Sequence, residues 1–123
     1  MKDYNLCFLG ILVLWICVSC EEIIFEEDIS DERIELLAPL NNTQVHSSSV
    51  NFNWTAIQDS ISYRIQIVQP GFTDAQQLLL DAVTTETQMT VTLEDGTYEW
   101  RVQGFNSAYE TSYTTAAFEV SSE

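Results

Sequence analysis

After its first twenty residues this chain of 123 has no cysteine, no lysine and only three arginines. These absences narrow its function before any motif is read. Affinity for phosphate backbones comes mainly from Lys and Arg, so Arg33, Arg64 and Arg101 against a net charge of −15 exclude a nucleic-acid partner. The one histidine, His46, sits in a Ser- and Thr-rich turn with no partner motif and reads as a surface residue. No Gly-rich phosphate loop, Cys or His metal spacing, or nucleophile elbow occurs, and an active site needs such groups within reach of one another. The carboxylates from Asp59 onward are scattered over loops and outward strand positions, where they are solvated rather than paired for glycosidase work. The chain therefore reads as non-catalytic, without cofactor or metal. No apolar run reaches the roughly 20 residues that a membrane-crossing helix requires.

The longest apolar run, Leu6 to Ser19, follows Lys2 and ends at a small residue, as an export signal does. Cys17-Val18-Ser19-Cys20 resembles the bacterial lipobox, although Leu is the usual first residue. The resemblance implies that residues 1–19 are a signal peptide and that Cys20 takes a diacylglyceryl group. Cys7 and Cys17 then leave with the leader, no thiol remains for a disulfide, and stability rests on packing. An uncleaved anchor and an ordinary signal with an incidental Cys20 stay open, and both export the chain.

Eight acidic residues between Glu21 and Glu35 are opposed only by Arg33. Glu21-Glu22 directly after Cys20 resembles the signal by which Bacteroidota-type bacteria send lipoproteins to the outer face of the outer membrane. That implies a lipid-anchored, surface-facing protein, with the periplasmic face as the alternative. A self-repelling tether over residues 20–33 is an equal reading. A calcium site is a third, but the segment lacks the glycine turn and alternating oxygens of a known loop.

From residue 34 to 121 the pattern changes to short alternating runs broken by turn residues, which predicts an all-β sandwich of seven strands. The strands fall near 34–37, 50–54, 62–68, 78–83, 87–93, 98–104 and 116–120. Alternation puts Val50, Phe52, Trp54, Tyr63, Ile65, Ile67, Tyr98, Trp100, Val102, Phe118 and Val120 inward, and Arg64, Gln66 and Val68 outward. Met89, Val91 and Leu93 share a face.

Leu93-Glu94-Asp95-Gly96-Thr97-Tyr98 resembles the tyrosine corner of fibronectin type III domains, and Trp100 lies in what resembles that family's following strand. Trp54 and Tyr63, nine residues apart, resemble its second-strand tryptophan and third-strand tyrosine. Together these matches imply an immunoglobulin-like sandwich of the fibronectin type III kind. The stretch from Leu37 to Trp54 also resembles the leading module of envelope lipoproteins from Bacteroidota glycan-uptake systems.

Candidate binding residues are Phe105, Tyr109 and Tyr113 in the last hairpin loop, with Phe72 after Pro70-Gly71. Tyrosines amid small polar residues suit recognition. The structural alternative is that Phe105 and Tyr113 only continue strands. Asp59-Ser60-Ile61 resembles the short O-glycosylation acceptor of Bacteroidota; otherwise Ser60 is a plain loop serine. The expected role is a protein-interaction or spacer module of the envelope, with a glycan-binding accessory of an outer-membrane uptake system as the alternative.

Overall fold

The computed structural model describes residues 26–60 and 62–122. The signal peptide, Cys20 and Glu21-Glu22 lie outside them. Eight strands form two sheets: β1 (Leu36–Ala38), β2 (Thr43–Val45), β3 (Ser49–Trp54), β4 (Ser62–Gln69), β5 (Gln77–Thr84), β6 (Gln88–Thr92), β7 (Gly96–Phe105) and β8 (Thr114–Val120). One sheet runs β1-β3-β6 and the other β2-β8-β7-β4-β5. The strand missed by sequence reading is β2. Its three residues are too few to show alternation, and it is recognised only by its partner: Thr43, Gln44 and Val45 pair in parallel with Phe118, Glu119 and Val120.

The alternation read from the sequence builds the core. Val50, Phe52 and Trp54 of β3 face Tyr63, Ile65 and Ile67 of β4, Tyr98, Trp100 and Val102 of β7, and Ala116, Phe118 and Val120 of β8, all nearly or fully buried. Asn51 and Asn53 point the other way and bond to each other, with Asn51 also donating to Thr90 Oγ1. Met89 and Val91 are partly buried against the core, and Leu93 is fully buried.

Six aromatic rings run through this interior as one connected series. Tyr63 meets Trp54 edge-on at 5.9 Å between centroids, and Trp54 lies 6.3 Å from Trp100. Trp100 meets Phe52 edge-on at 4.9 Å, Phe52 meets Phe118 at 5.6 Å, and Phe118 stacks on Tyr98 at 5.5 Å. Such contacts each add about 0.5–1.5 kcal/mol beyond simple burial. Three polar tips reach backbone. Trp100 Nε1 donates to Pro39 O at 3.1 Å, Tyr98 Oη donates to Glu94 O at 2.6 Å, and Tyr63 Oη accepts from Ile57 N at 3.0 Å. The Tyr98 bond is the tyrosine corner that the sequence predicted. Trp54 Nε1, equally buried, meets no partner among the described residues.

Two expectations change. The packed body was placed from residue 34 onward, yet Ile29 is 2% exposed and belongs to the core cluster with Ile34. The acidic segment therefore carries an apolar residue that the sandwich buries, while its neighbours Glu27, Asp28, Ser30, Asp31, Glu32 and Arg33 stay exposed. Val68 was read as outward. It does sit opposite Glu99, on the outer face, but it is 3% exposed, because the β4–β5 loop folds back there with Phe72 N–H donating to Glu99 Oε1.

The two indoles give a paired stability prediction. Trp54→Phe and Trp100→Phe remove similar volume, but only the second leaves Pro39 O without its donor. Trp100→Phe should cost about 1 kcal/mol more than Trp54→Phe in urea unfolding. Equal midpoints would remove the Pro39 bond from the account. Tyr98 adds a pH dependence. Burial, reinforced by the Glu94 and Asp95 charges, raises its pKa above the usual tyrosine range. The unfolded chain then releases its proton first, so stability falls as pH rises past about 10. Tyr98→Phe should lose about 1 kcal/mol at neutral pH and abolish that share of the alkaline fall.

Candidate functional site

The four candidate aromatics divide into two pairs. Phe72 and Tyr113 come from loops at opposite ends of the sandwich, yet both reach the outer face of the five-stranded sheet and close on Arg101. Its guanidinium carbon lies 4.0 Å from the Phe72 centroid and 4.4 Å from that of Tyr113. Nε donates to Gln66 Oε1 at 2.8 Å, so a hydrogen bond fixes the cation in addition to the two rings. These rings pack on a cation and do not form an open platform.

Phe105 and Tyr109 form the second pair. With Arg64, Gln103 and Glu110 they line a cleft of about 430 Å³ between the outer sheet face and the β7–β8 loop. Tyr109 is 39% exposed. Gln103 Nε2 is committed to Thr111 O at 2.9 Å, which leaves its carbonyl oxygen to accept a bond from a ligand. Arg64 has Asp81 at 3.7 Å, an exposed pair of little energetic weight. The cleft thus offers two aromatic surfaces, one cation, one carboxylate and one amide acceptor.

Two residues that sequence reading passed over give this loop its shape. Asn106 is 7% exposed; its Oδ1 accepts from Ala108 N at 3.0 Å and Tyr109 N at 2.8 Å, the side-chain turn to which asparagine is suited. Its Nδ2 donates to Glu27 O at 2.8 Å and Asp59 O at 3.3 Å. Thr111 is 2% exposed, accepts from Gly104 N at 3.1 Å and donates to Ser112 O at 2.9 Å. The Asn-Ser-Ala sequence directly after a strand was the available signal for the turn.

Ser60 is half-buried and its hydroxyl is engaged. Oγ donates to Ser62 O at 3.0 Å, and a Cβ on Gly104 would come within 3.0 Å of it. Gly104 occupies an inward position of β7 where a side chain would press Ser60 Oγ aside by a few tenths of an ångström and touch Ile34 and Tyr63 at ordinary contact distance. This is a packing role, and a sugar on Ser60 would have to break it. His46 is exposed, with Nδ1 3.2 Å from Ser121 O. Among the described residues no three His, Cys, Asp or Glu side chains gather as a metal site.

With this geometry in place, comparison defines the class. No family model and no curated protein matches the chain. Among solved structures, the crystal structure of FN3tt is similar over 72% of this chain and 95% of that one, at 14% identity and a TM-score of 0.53. The fibronectin(III)-like modules of Clostridium thermocellum CbhA align over 74% of this chain and 98% of that one, at 12% identity and a TM-score of 0.49. The protein is an all-β two-sheet sandwich resembling fibronectin type III modules. At such identities the likeness speaks for fold alone.

The aromatic clamp is testable. Arg101→Ala should cost about 1–2 kcal/mol, the sum of two cation–π contacts at a partly exposed site. It should also free Phe72, seen as increased ring motion by NMR. An unchanged Phe72 environment would show that the loop holds the ring without Arg101.

Proposed function

We propose that this protein is a non-catalytic envelope lipoprotein, anchored through lipid on Cys20 to the outer membrane, whose sandwich serves as a protein-interaction module. The leader and its terminal cysteine support the anchor. The edge of the five-stranded sheet supports the interaction. Among the described residues β5 has β4 on one side and no strand on the other, and it exposes Leu78 at 58% and Val83 at 52%. Edge strands are usually blocked by charge, proline or a bulge. Here the one charged residue on the strand, Asp81, has Arg64 beside it. The register shift at Leu79 leaves Leu80 to Thr84 as a regular stretch on which a partner strand can add.

The cleft supports a second reading, a glycan-binding accessory. The exposed Tyr109 ring beside Arg64, Gln103 and Glu110 has the composition of a sugar-stacking site, an aromatic surface with polar groups at its margin.

Intact mass of the membrane-extracted protein, with protease shaving of whole cells, tests the anchor. Acyl mass on Cys20, its loss in Cys20→Ala and release of that variant from the membrane fraction are the expected results. A soluble wild-type product would overturn the anchor. Leu78→Lys with Val83→Lys should shift stability by less than about 0.5 kcal/mol, as surface changes do, while abolishing co-purification of the partner. Tyr109→Ala should leave that partner bound; a loss of retention on glycan columns instead would favour the second reading.

A further inference from the structure

The edge of β5 carries a pattern that matches itself. Its register with β4 puts Asp81 opposite Gln66 and Val83 opposite Arg64 on the outer face, with Leu80, Ala82 and Thr84 opposite Ile67, Ile65 and Tyr63 on the core side. Antiparallel pairing sets residues of one face directly across from each other. Two copies of β5 laid antiparallel about a two-fold axis therefore keep their faces only when the axis passes through a residue and not between two. The regular stretch from Leu80 to Thr84 has Ala82 at its midpoint. An axis there pairs the whole stretch: Leu80 with Thr84, Asp81 with Val83, and Ala82 with Ala82 of the other copy. An axis at Asp81 or Val83 pairs a shorter stretch, and the first of these sets two carboxylates against each other.

Charge selects the occupant of this edge. At a net charge of −15, most contacts between two copies are repulsive. Of the two arginines on the strands, Arg101 is held by Phe72 and Tyr113, whereas Arg64 is half-exposed beside Asp81. With the axis at Ala82, Val83 lies between Arg64 and Asp81 of the second copy in one row across the seam. The two backbones are then two strand spacings apart, about 10 Å, which the two side chains together can span. Each Asp81 gains a second arginine, and the seam holds two cations and two carboxylates. A strand of another protein would have to bring its own cation to Asp81; a second copy supplies it. Leu80 and Ala82, partly buried at the margin of the core, are covered by the same pairing.

Resting on the reading of β5 as an interaction edge, we infer that its partner strand is β5 of a second copy of this chain, joined about an axis at Ala82 so that the two five-stranded sheets become continuous.

The test places the photo-crosslinking residue p-benzoylphenylalanine at exposed position 83 of the full chain and irradiates the cells that produce it. The expected adduct has twice the mass of the chain and joins position 83 to the β5 peptide that contains Asp81. Asp81→Lys should lower this adduct about tenfold, because the new cation meets Arg64 of both copies, and adding Arg64→Glu should restore it. Both exchanges are made at half-exposed side chains, so the sandwich itself is kept. An adduct with a different protein overturns the second-copy inference and leaves β5 as an interaction edge. No adduct at all overturns both. A doubled-mass adduct that ignores the charge reversal, or that the second substitution does not restore, overturns the two-fold pairing.

Discussion

The series of aromatic rings from Tyr63 through Trp54, Trp100, Phe52 and Phe118 to Tyr98 is the contact on which the rest of the molecule depends. With no cysteine in the described residues to staple the sheets, burial and ring packing alone hold them face to face. The series crosses between sheets at every contact but the last, since Trp54 and Phe52 come from β3 and their neighbours from β4, β7 and β8, while Phe118 and Tyr98 stack within one sheet. Its polar tips extend the order outward. Tyr63 fixes the β3–β4 loop, Trp100 the corner between β1 and β2, and Tyr98 the turn before β7. Each loop is thus held from inside by a side chain whose main task is packing.

This dependence explains what the sequence could disclose. Period-two alternation is imposed by one buried face, so β3, β4, β7 and β8 were legible, and the tyrosine corner was legible because a Leu, a turn glycine and a Tyr must fall at fixed spacing. β2 was not, because three residues held by a parallel neighbour 75 positions away carry no local period. Ile29 was concealed by its surroundings: one apolar residue amid carboxylates does not alter a compositional reading, yet it suffices to dock a segment. Val68 followed the strand rule and was covered by a loop whose path alternation does not specify.

The site was legible in its residue types and illegible in its arrangement. Phe72 and Tyr113 read as free recognition aromatics, and no local signal links either to Arg101, which lies on a strand between their loops. Tyr109 keeps the open position that the loop composition implied, whereas Phe105 is half-buried and continues β7 as its last residue, as the strand alternative expected. Asn106 governs both the loop and its attachment to the acidic segment, a double role that arises because one short amide can turn its oxygen to two successive backbone N–H groups and its nitrogen outward. The outer sheet face thus carries a closed aromatic cluster at its centre and an open cleft at one end.

The parallel pairing of β2 with β8 has a mechanical consequence. The chain leaves the sandwich at the β7–β8 end on its N-terminal side and at the opposite end after Val120. Tension between these two points would draw β2 and β8 past each other along their length. Paired steps loaded in that direction share the force and yield together, whereas strands peeled from one end yield one pair at a time. Three residue pairs, too short to appear in the sequence pattern, would thus resist such tension in shear.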